Sequence, residues 1–276
     1  MKRILVPVDF SETSTHALEI AALIAKRQKA EIVVLHMLGL SEAVLSKNEI
    51  QEYEEARYYM ELAKKRFIPF LDKPYLKNIR IREIVQNYKI FKEFNALAQE
   101  QNIDLIVMGS HGTSGVREVL VGSNTEKVVR TSDVPVLVVK MPNPEFKIEK
   151  VLFACDFSED VILAFKNVQA FTDSFSAKLK LIYINTPHNS FKSTNEIEEK
   201  ISNFFFKAND ASQEVVIYDD YTIEQGLLNY SQKGGFDLLA MPTHGRTPIS
   251  HFLLGSRSIG EDVANHANIP VLTIKI

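Results

Sequence analysis

A chain of 276 residues is long for one compact domain and suits two, and 45% apolar residues can fill two buried cores, which sets disorder aside. The formal net charge of −3 removes the long-range attraction to nucleic acid that a basic domain has. One cysteine, Cys155, excludes an internal disulfide framework. No apolar run reaches the roughly 18 residues of a membrane span, and the first apolar stretch stops at Asp9, so a cytoplasmic protein without a membrane partner is expected.

In chain order, RILVPV (3–8) reads as a short buried strand stopped by Asp9 and Ser11. Residues 13–28 carry apolar groups at helical spacing, with Ser11 or Thr13 as cap. EIVVLHML (31–38) reads as a second strand, and 49–71 as a long helix, acidic first and basic later, as its dipole favours. IRIREIV (79–85) is a third strand, 89–101 a helix and DLIVMG (104–109) a fourth strand. A glycine-rich loop, GSHGTSGVREVLVGSN (109–124), leads to a helix near 123–132 and to the strand PVLVVK (135–140). The basic groups Lys64, Lys65, Arg66, Lys77, Arg80 and Arg82 are flanked by acidic residues and read as solvated faces.

The chain then repeats itself. KRILVPVDFSE answers to EKVLFACDFSE, DLIVMGSHGTSG to DLLAMPTHGRTP, EVLVGS to HFLLGS, and DVPVLVVK to NIPVLTIK. Four matched segments in one order mark a duplicated unit. Two prolines in MPNPEF (141–146) suggest a linker, giving domains over 1–141 and 148–276. Buried strand runs separated by helices predict an α/β fold: two tandem doubly wound domains, each with a five-stranded parallel sheet. Ligands in such sheets sit beyond the carboxyl ends of the strands, where strand order reverses. Asp9, Met37 and Gly109 fall at those ends.

The loop holds four of the eleven glycines, and the first 108 residues hold only Gly39. Gly109 and Gly112 let the backbone bend and present N–H groups. Gly122 and Ser123 open a helix whose free N–H groups suit phosphate oxygens. Ser123-x-x-Glu126 is also a capping box, which accounts for both residues without a ligand, so local physics leaves both readings open. The P-loop and G-x-G-x-x-G fingerprints are absent.

Gly109-x2-Gly112-x9-Gly122-Ser123 matches G-x2-G-x9-G-[S/T], the nucleotide motif of the universal stress protein family. PVDFSE (7–12) and VPVLVVK (134–140) resemble that family as well, and the resemblance spans nearly the whole chain as two copies. It implies an adenine nucleotide alpha hydrolase-like fold, the two copies packed as a pseudo-dimer through their final strands, and a site for ATP. Pro7, Asp9 and Met37 would meet adenine and ribose, and Met108 and Gly109 would lie by the ribose. Gly112, Gly122, Ser123 and the Asn124 backbone would hold phosphates carrying Mg or Mn. No residue stands out as catalytic or as a direct metal ligand. His111 reads as a loop-stabilising group, and VQNYK (85–89) lacks the glycine many members carry after the third strand.

The second copy keeps Asp156, Gly245, Gly255 and Ser256 but has Pro242 at the place of Gly109. Proline has no N–H and a fixed φ. An inserted pair of residues offers a new capping box at Ser258-x-x-Glu261, while Arg246 and Arg257 add positive charge. The expectation is weak ATP binding or none in this half, or a different anionic ligand there. The leading function is an ATP-binding stress sensor or regulator. Its rivals are a slow ATP hydrolase or autophosphorylating protein, and a scaffold using Phe204, Phe205 and Phe206, which read more readily as core. A homodimer of tandem chains is allowed but not indicated.

Overall fold

The computed structural model of the chain describes residues 1–38, 49–87, 92–110, 123–140, 142–143, 146–187, 191–210, 213–243 and 269–276. Contacts divide the chain into two compact units, Met1–Val116 with Val136–Pro144, and Arg117–Pro135 with Glu145–Ile276.

The first unit contains β1 (Arg3–Pro7), α1 (Glu12–Gln28), β2 (Glu31–Leu38), α2 (Glu49–Leu71), β3 (Ile81–Asn87), α3 (Lys92–Glu100), β4 (Leu105–Gly109) and β5 (Val136–Val139). The helix α4 (Ser123–Thr131), which precedes β5 in the chain, belongs by its contacts to the second unit. That unit continues with β6 (Lys150–Ala154), α5 (Ile162–Ser174), β7 (Lys178–Asn185), α6 (Thr194–Ala208), β8 (Glu214–Asp219), α7 (Ile223–Gly234), β9 (Leu238–Thr243) and β10 (Val271–Lys275).

The strand order is β3-β2-β1-β4-β5 in the first unit and β10-β9-β6-β7-β8 in the second. Every described pairing within each unit is parallel. Once β6 is matched to β1, the two orders are the same. The doubly wound five-stranded parallel sheet expected from the sequence therefore occurs twice.

The strands form because their side chains are buried rather than alternating. Ile4, Leu5 and Val6 of β1 are buried, as are all five residues of β4 and all four of β5. Runs of this kind fit only a sheet covered on both faces. Each sheet is also pinned by a duplicated carboxylate. Asp104, just before β4, accepts from the backbone N–H groups of Lys2 and Arg3 at the entry to β1. Asp237 does the same for Glu149 (3.0 Å) and Lys150 (2.9 Å) at the entry to β6. These charge-assisted bonds set the first strand of each unit against its fourth.

Of the two residues expected to cap α1, Ser11 performs the role, its side chain accepting from the Ser14 N–H. The helix closes on Lys29 in the left-handed conformation, with Lys26 and Arg27 in its last turn. α3 is described over Lys92–Glu100, inside the 89–101 expected, and residues 89–91 lie outside the described residues.

Candidate functional site

In the first unit the chain runs outward through β1, β2 and β3, then returns to the other side of β1 for β4 and β5. Strand order therefore reverses between β1 and β4, and a crevice opens beyond their carboxyl ends. Leu5 of β1 lies beside Ile106 of β4. Pro7 ends β1 and Gly109 ends β4, so Asp9 and Gly109 flank the reversal.

Asp9 is held by the turn that starts α1. Its Oδ1 accepts from the Ser11 N–H at 3.0 Å, and the Ser11 hydroxyl sits 3.0 Å from that of Thr13. Between them, Phe10 takes a left-handed backbone with φ 64°. That unusual conformation turns its ring onto a cluster: His36 at 4.5 Å, Phe67 at 5.2 Å and Phe70 at 5.3 Å between centroids, with the Arg66 guanidinium 4.8 Å away over its face.

His36 fixes the same turn from the other side. Its Nδ1 is 2.8 Å from the Val8 carbonyl oxygen, and the Val8 N–H donates to Leu35. A carbonyl can only accept, so Nδ1 carries the proton. Burial pushes the His36 pKa below its ordinary value, and the Arg66 charge adds to this. The hydrogen bond to Val8 and the charge of Asp9 oppose the shift without reversing it. Sequence reasoning missed both Phe10 and His36. The repeat carries a signal for them, because Phe157 and Tyr183 stand at the matching places of the second copy.

Gly109 differs from the sequence expectation in its physical reason. It is a buried strand residue in register with Val139, and its φ is not in the left-handed range. What matters is the missing side chain: a Cβ would fall 2.8 Å from the Thr13 carbonyl oxygen and 2.9 Å from its carbon. The first turn of α1 thus closes directly over the end of β4. Met108 is buried beside Val138, and Met37 is half-buried near the end of β2 in register with Gln86. Ser123 and Asn124 open α4, with the Asn124 side chain exposed. Gly112, Gly122 and His111 lie outside the described residues, as do Gly245, Gly255, Ser256, Arg246, Arg257 and the Ser258–Glu261 box.

The second unit repeats the strand-to-helix turn with different consequences. Asp156 Oδ1 accepts from the Ser158 N–H (2.9 Å) and hydroxyl (2.8 Å). Phe157, with φ 57°, packs against Phe204 at 5.3 Å and Phe205 at 6.3 Å. The first helical turn, α in α1, is a 3-10 turn here (Glu159–Val161), and α5 follows it. Pro242 stands inside β9 opposite Ile274, occupying the place that Gly109 holds in β4. Phe204 and Phe205 are core, whereas Phe206 is 86% exposed.

Among the described residues no group of three or more His, Cys, Asp or Glu side chains could hold a metal ion, and no helix is long and apolar enough to cross a membrane. The model of the universal stress protein family matches residues 1–140 and again 147–275. Universal stress protein MJ0577 of Methanocaldococcus jannaschii is 31% identical over 163 residues, covering 51% of this chain and 96% of that protein. Universal stress protein Slr1230 of Synechocystis is 23% identical over 299 residues and covers both chains in full. The solved structure of a universal stress protein from Archaeoglobus fulgidus has the same fold, with a TM-score of 0.65 at 21% identity, covering 99% of this chain and 98% of that one. With the family pattern matched in both halves and the same strand order in both units, the chain belongs to the universal stress protein family, in its tandem form.

Proposed function

We propose that the protein is a nucleotide-dependent stress regulator that binds ATP through its first copy. The observation that carries this reading is the position of Asp9 and Gly109, on either side of the strand-order reversal, in the copy whose glycine spacing matches the family motif without a gap. The residues present fit the ligand. A carboxylate only accepts hydrogen bonds, which suits the hydroxyl or amino donors of a nucleoside. The half-buried thioether of Met37 suits a flat base. In this reading Pro7, Asp9, Met37, Met108 and Gly109 contact the nucleoside. Gly112, Gly122, Ser123 and the Asn124 backbone take the phosphates, with Mg or Mn on the phosphate oxygens. When bound, the metal would neutralise phosphate charge.

The second copy, with Pro242 in place of a glycine, has one backbone N–H fewer near the end of its fourth strand and is assigned weak ATP binding or none. Thermal unfolding tests the proposal. ATP with Mg²⁺ or Mn²⁺ raises the midpoint of the intact chain, and the rise disappears in Gly112→Val. A midpoint unmoved by any adenine nucleotide would remove the proposal.

A further inference from the structure

The first unit carries a crevice of about 1230 Å³ at the other end of its sheet, beside the amino-terminal ends of β1 and β2 and the entry to β3. Five basic side chains line it from three separate stretches of chain: Lys2 before β1, Lys26 and Lys29 at the end of α1, and Lys77 and Arg80 ahead of β3. All five are exposed, and none has an acidic partner among the described residues. The sequence reads Lys77 and Arg80 as solvated faces; folding sets them around one hollow with three more cations. Two carboxylates share the lining, and the fold engages both. Glu31 takes Arg3 at 3.0 Å and Arg82 at 3.3 Å, and Asp104 accepts from the Lys2 and Arg3 N–H groups.

The cations stand on fixed backbone. The Glu31 N–H donates to the Lys2 carbonyl at 2.8 Å and the Ile32 N–H to the Arg80 carbonyl at 2.9 Å, so strand pairing sets these two residues. Basic residues at a helix C-terminus can serve the helix dipole alone, which would account for Lys26 and Lys29 without a ligand. The second copy argues against that reading. Ser176 takes the place of Lys29 with the same left-handed backbone (φ 55° against 54°), and Asp173 takes the place of Lys26. α5 accordingly has no basic residue in its last turn. Glu149 stands where Lys2 does, its N–H on Asp237 as that of Lys2 is on Asp104. The same fold thus forms without these charges.

The lining also narrows the class of anion. The hollow is far larger than one phosphate needs, and no aromatic side chain stands among its described lining residues to stack a base. We propose that this crevice binds inorganic polyphosphate, a linear chain of linked phosphates, along Lys2, Lys26, Lys29, Lys77 and Arg80. The site lies across the sheet from Asp9 and Gly109 and does not rest on the ATP reading. Mg-ATP, with much of its triphosphate charge neutralised by the metal, is too weakly charged to displace such a chain.

Polyphosphate of defined chain length, titrated into the full chain by calorimetry, tests the proposal. One saturable site is expected, and five contacts on a linear polyanion give log affinity against log salt a slope of about −3.5. Lys2→Glu, Lys26→Asp and Lys29→Ser together install the second copy's own residues, which this fold accommodates. That triple variant binds at least about tenfold more weakly at ~0.15 M salt, its slope falls to about −1.5, and its response to Mg-ATP is that of wild type. Lys77→Gln with Arg80→Gln, at exposed positions outside α1, also weakens binding and lowers the slope. Oligothymidylate with the same number of phosphates binds at least about tenfold more weakly than polyphosphate. Absence of saturable binding, unchanged affinity in both variants, or displacement by Mg-ATP overturns the proposal. Equal binding of oligothymidylate overturns it too, in favour of a nucleic-acid site.

Discussion

Gly109 at the end of β4 lies under Thr13 of α1 so closely that a Cβ on it would fall 2.8 Å from the Thr13 carbonyl oxygen. The atoms it would meet are mainly backbone, so neither can swing aside as a long side chain would. Gly109→Ala must displace α1 or β4. It is expected to cost about 1–3 kcal/mol, more than the few tenths that alanine recovers by stiffening the unfolded chain. Urea unfolding of the two proteins measures the difference, and equal stabilities would show that this contact is not tight.

The second copy shows the same constraint relieved. Where Pro242 replaces the glycine, the turn that corresponds to the start of α1 is 3-10, and the α-helix proper begins at Ile162. The repeated strands and helices were legible because burial on both faces writes unbroken apolar runs, such as LIVMG of β4 and VLVV of β5. The positions of Asp9 and Gly109 were legible for the same reason, since strand ends can be read from where those runs stop. The cluster around Phe10 was not. Its ring meets Phe67 and Phe70, more than fifty residues away, and only the left-handed turn at Phe10 aims it there. A single residue's φ leaves no periodic trace in a sequence, and neither does the contact that makes Gly109 necessary.

His36 should make the first unit sensitive to mild acid. Its folded pKa is lowered from the ordinary 6.5 by burial first, so between the two values the unfolded chain binds the extra proton. The contribution is complete above about pH 6.5 and is lost as pH falls through the folded value. The Asp9 carboxylate moderates the loss, and Arg66 accentuates it. Wild type is therefore expected to lose stability between pH 7.5 and pH 5.5 by more than His36→Gln, which keeps a donor for the Val8 carbonyl but cannot titrate. Urea midpoints at the two pH values decide the matter, and parallel losses in both proteins would exclude His36 as the cause.

Cys155 is buried just past β6, and burial raises its pKa from 9.0 to about 12. Its Sγ accepts from the Phe157 N–H, which offsets part of that rise. Because the thiolate is the reactive form, a rise of this size cuts the reactive fraction on the order of 10³-fold at pH 8. Alkylation by iodoacetamide should accordingly be slower by about that factor in the native chain than in urea. A native rate close to the unfolded one would mean that the thiol is open to solvent.

The three consecutive phenylalanines on α6 should separate cleanly. Phe204 packs edge-on against Phe157 and Phe165, with centroids 5.3 and 5.5 Å away, and is 2% exposed. Phe204→Ala is expected to cost about 3–5 kcal/mol through lost burial and the cavity left behind. Phe206 points to solvent at 86% exposure, and Phe206→Ser should change stability by no more than about 0.5 kcal/mol. Similar losses in denaturant unfolding for both variants would contradict the placement of Phe204 in the core and Phe206 in solvent.

ATP stoichiometry tests the asymmetry between the copies. The first copy ends β4 with Gly109, and the second has Pro242 in the equivalent strand position, without an N–H. Calorimetry on the intact chain is expected to give one ATP per chain. At nucleotide 100-fold above the dissociation constant, a single site adds about 2.7 kcal/mol to stability, and a second equal site would double that. Pro242→Gly restores a donor at that position but leaves the Asp156 carboxylate and the apolar walls of Ile184 and Leu227 in place. It should therefore not create a second ATP site of equal strength. Two equivalent ATP sites in wild type would sink the asymmetry, and a strong new site in Pro242→Gly would show that the proline alone had closed the second crevice to nucleotide.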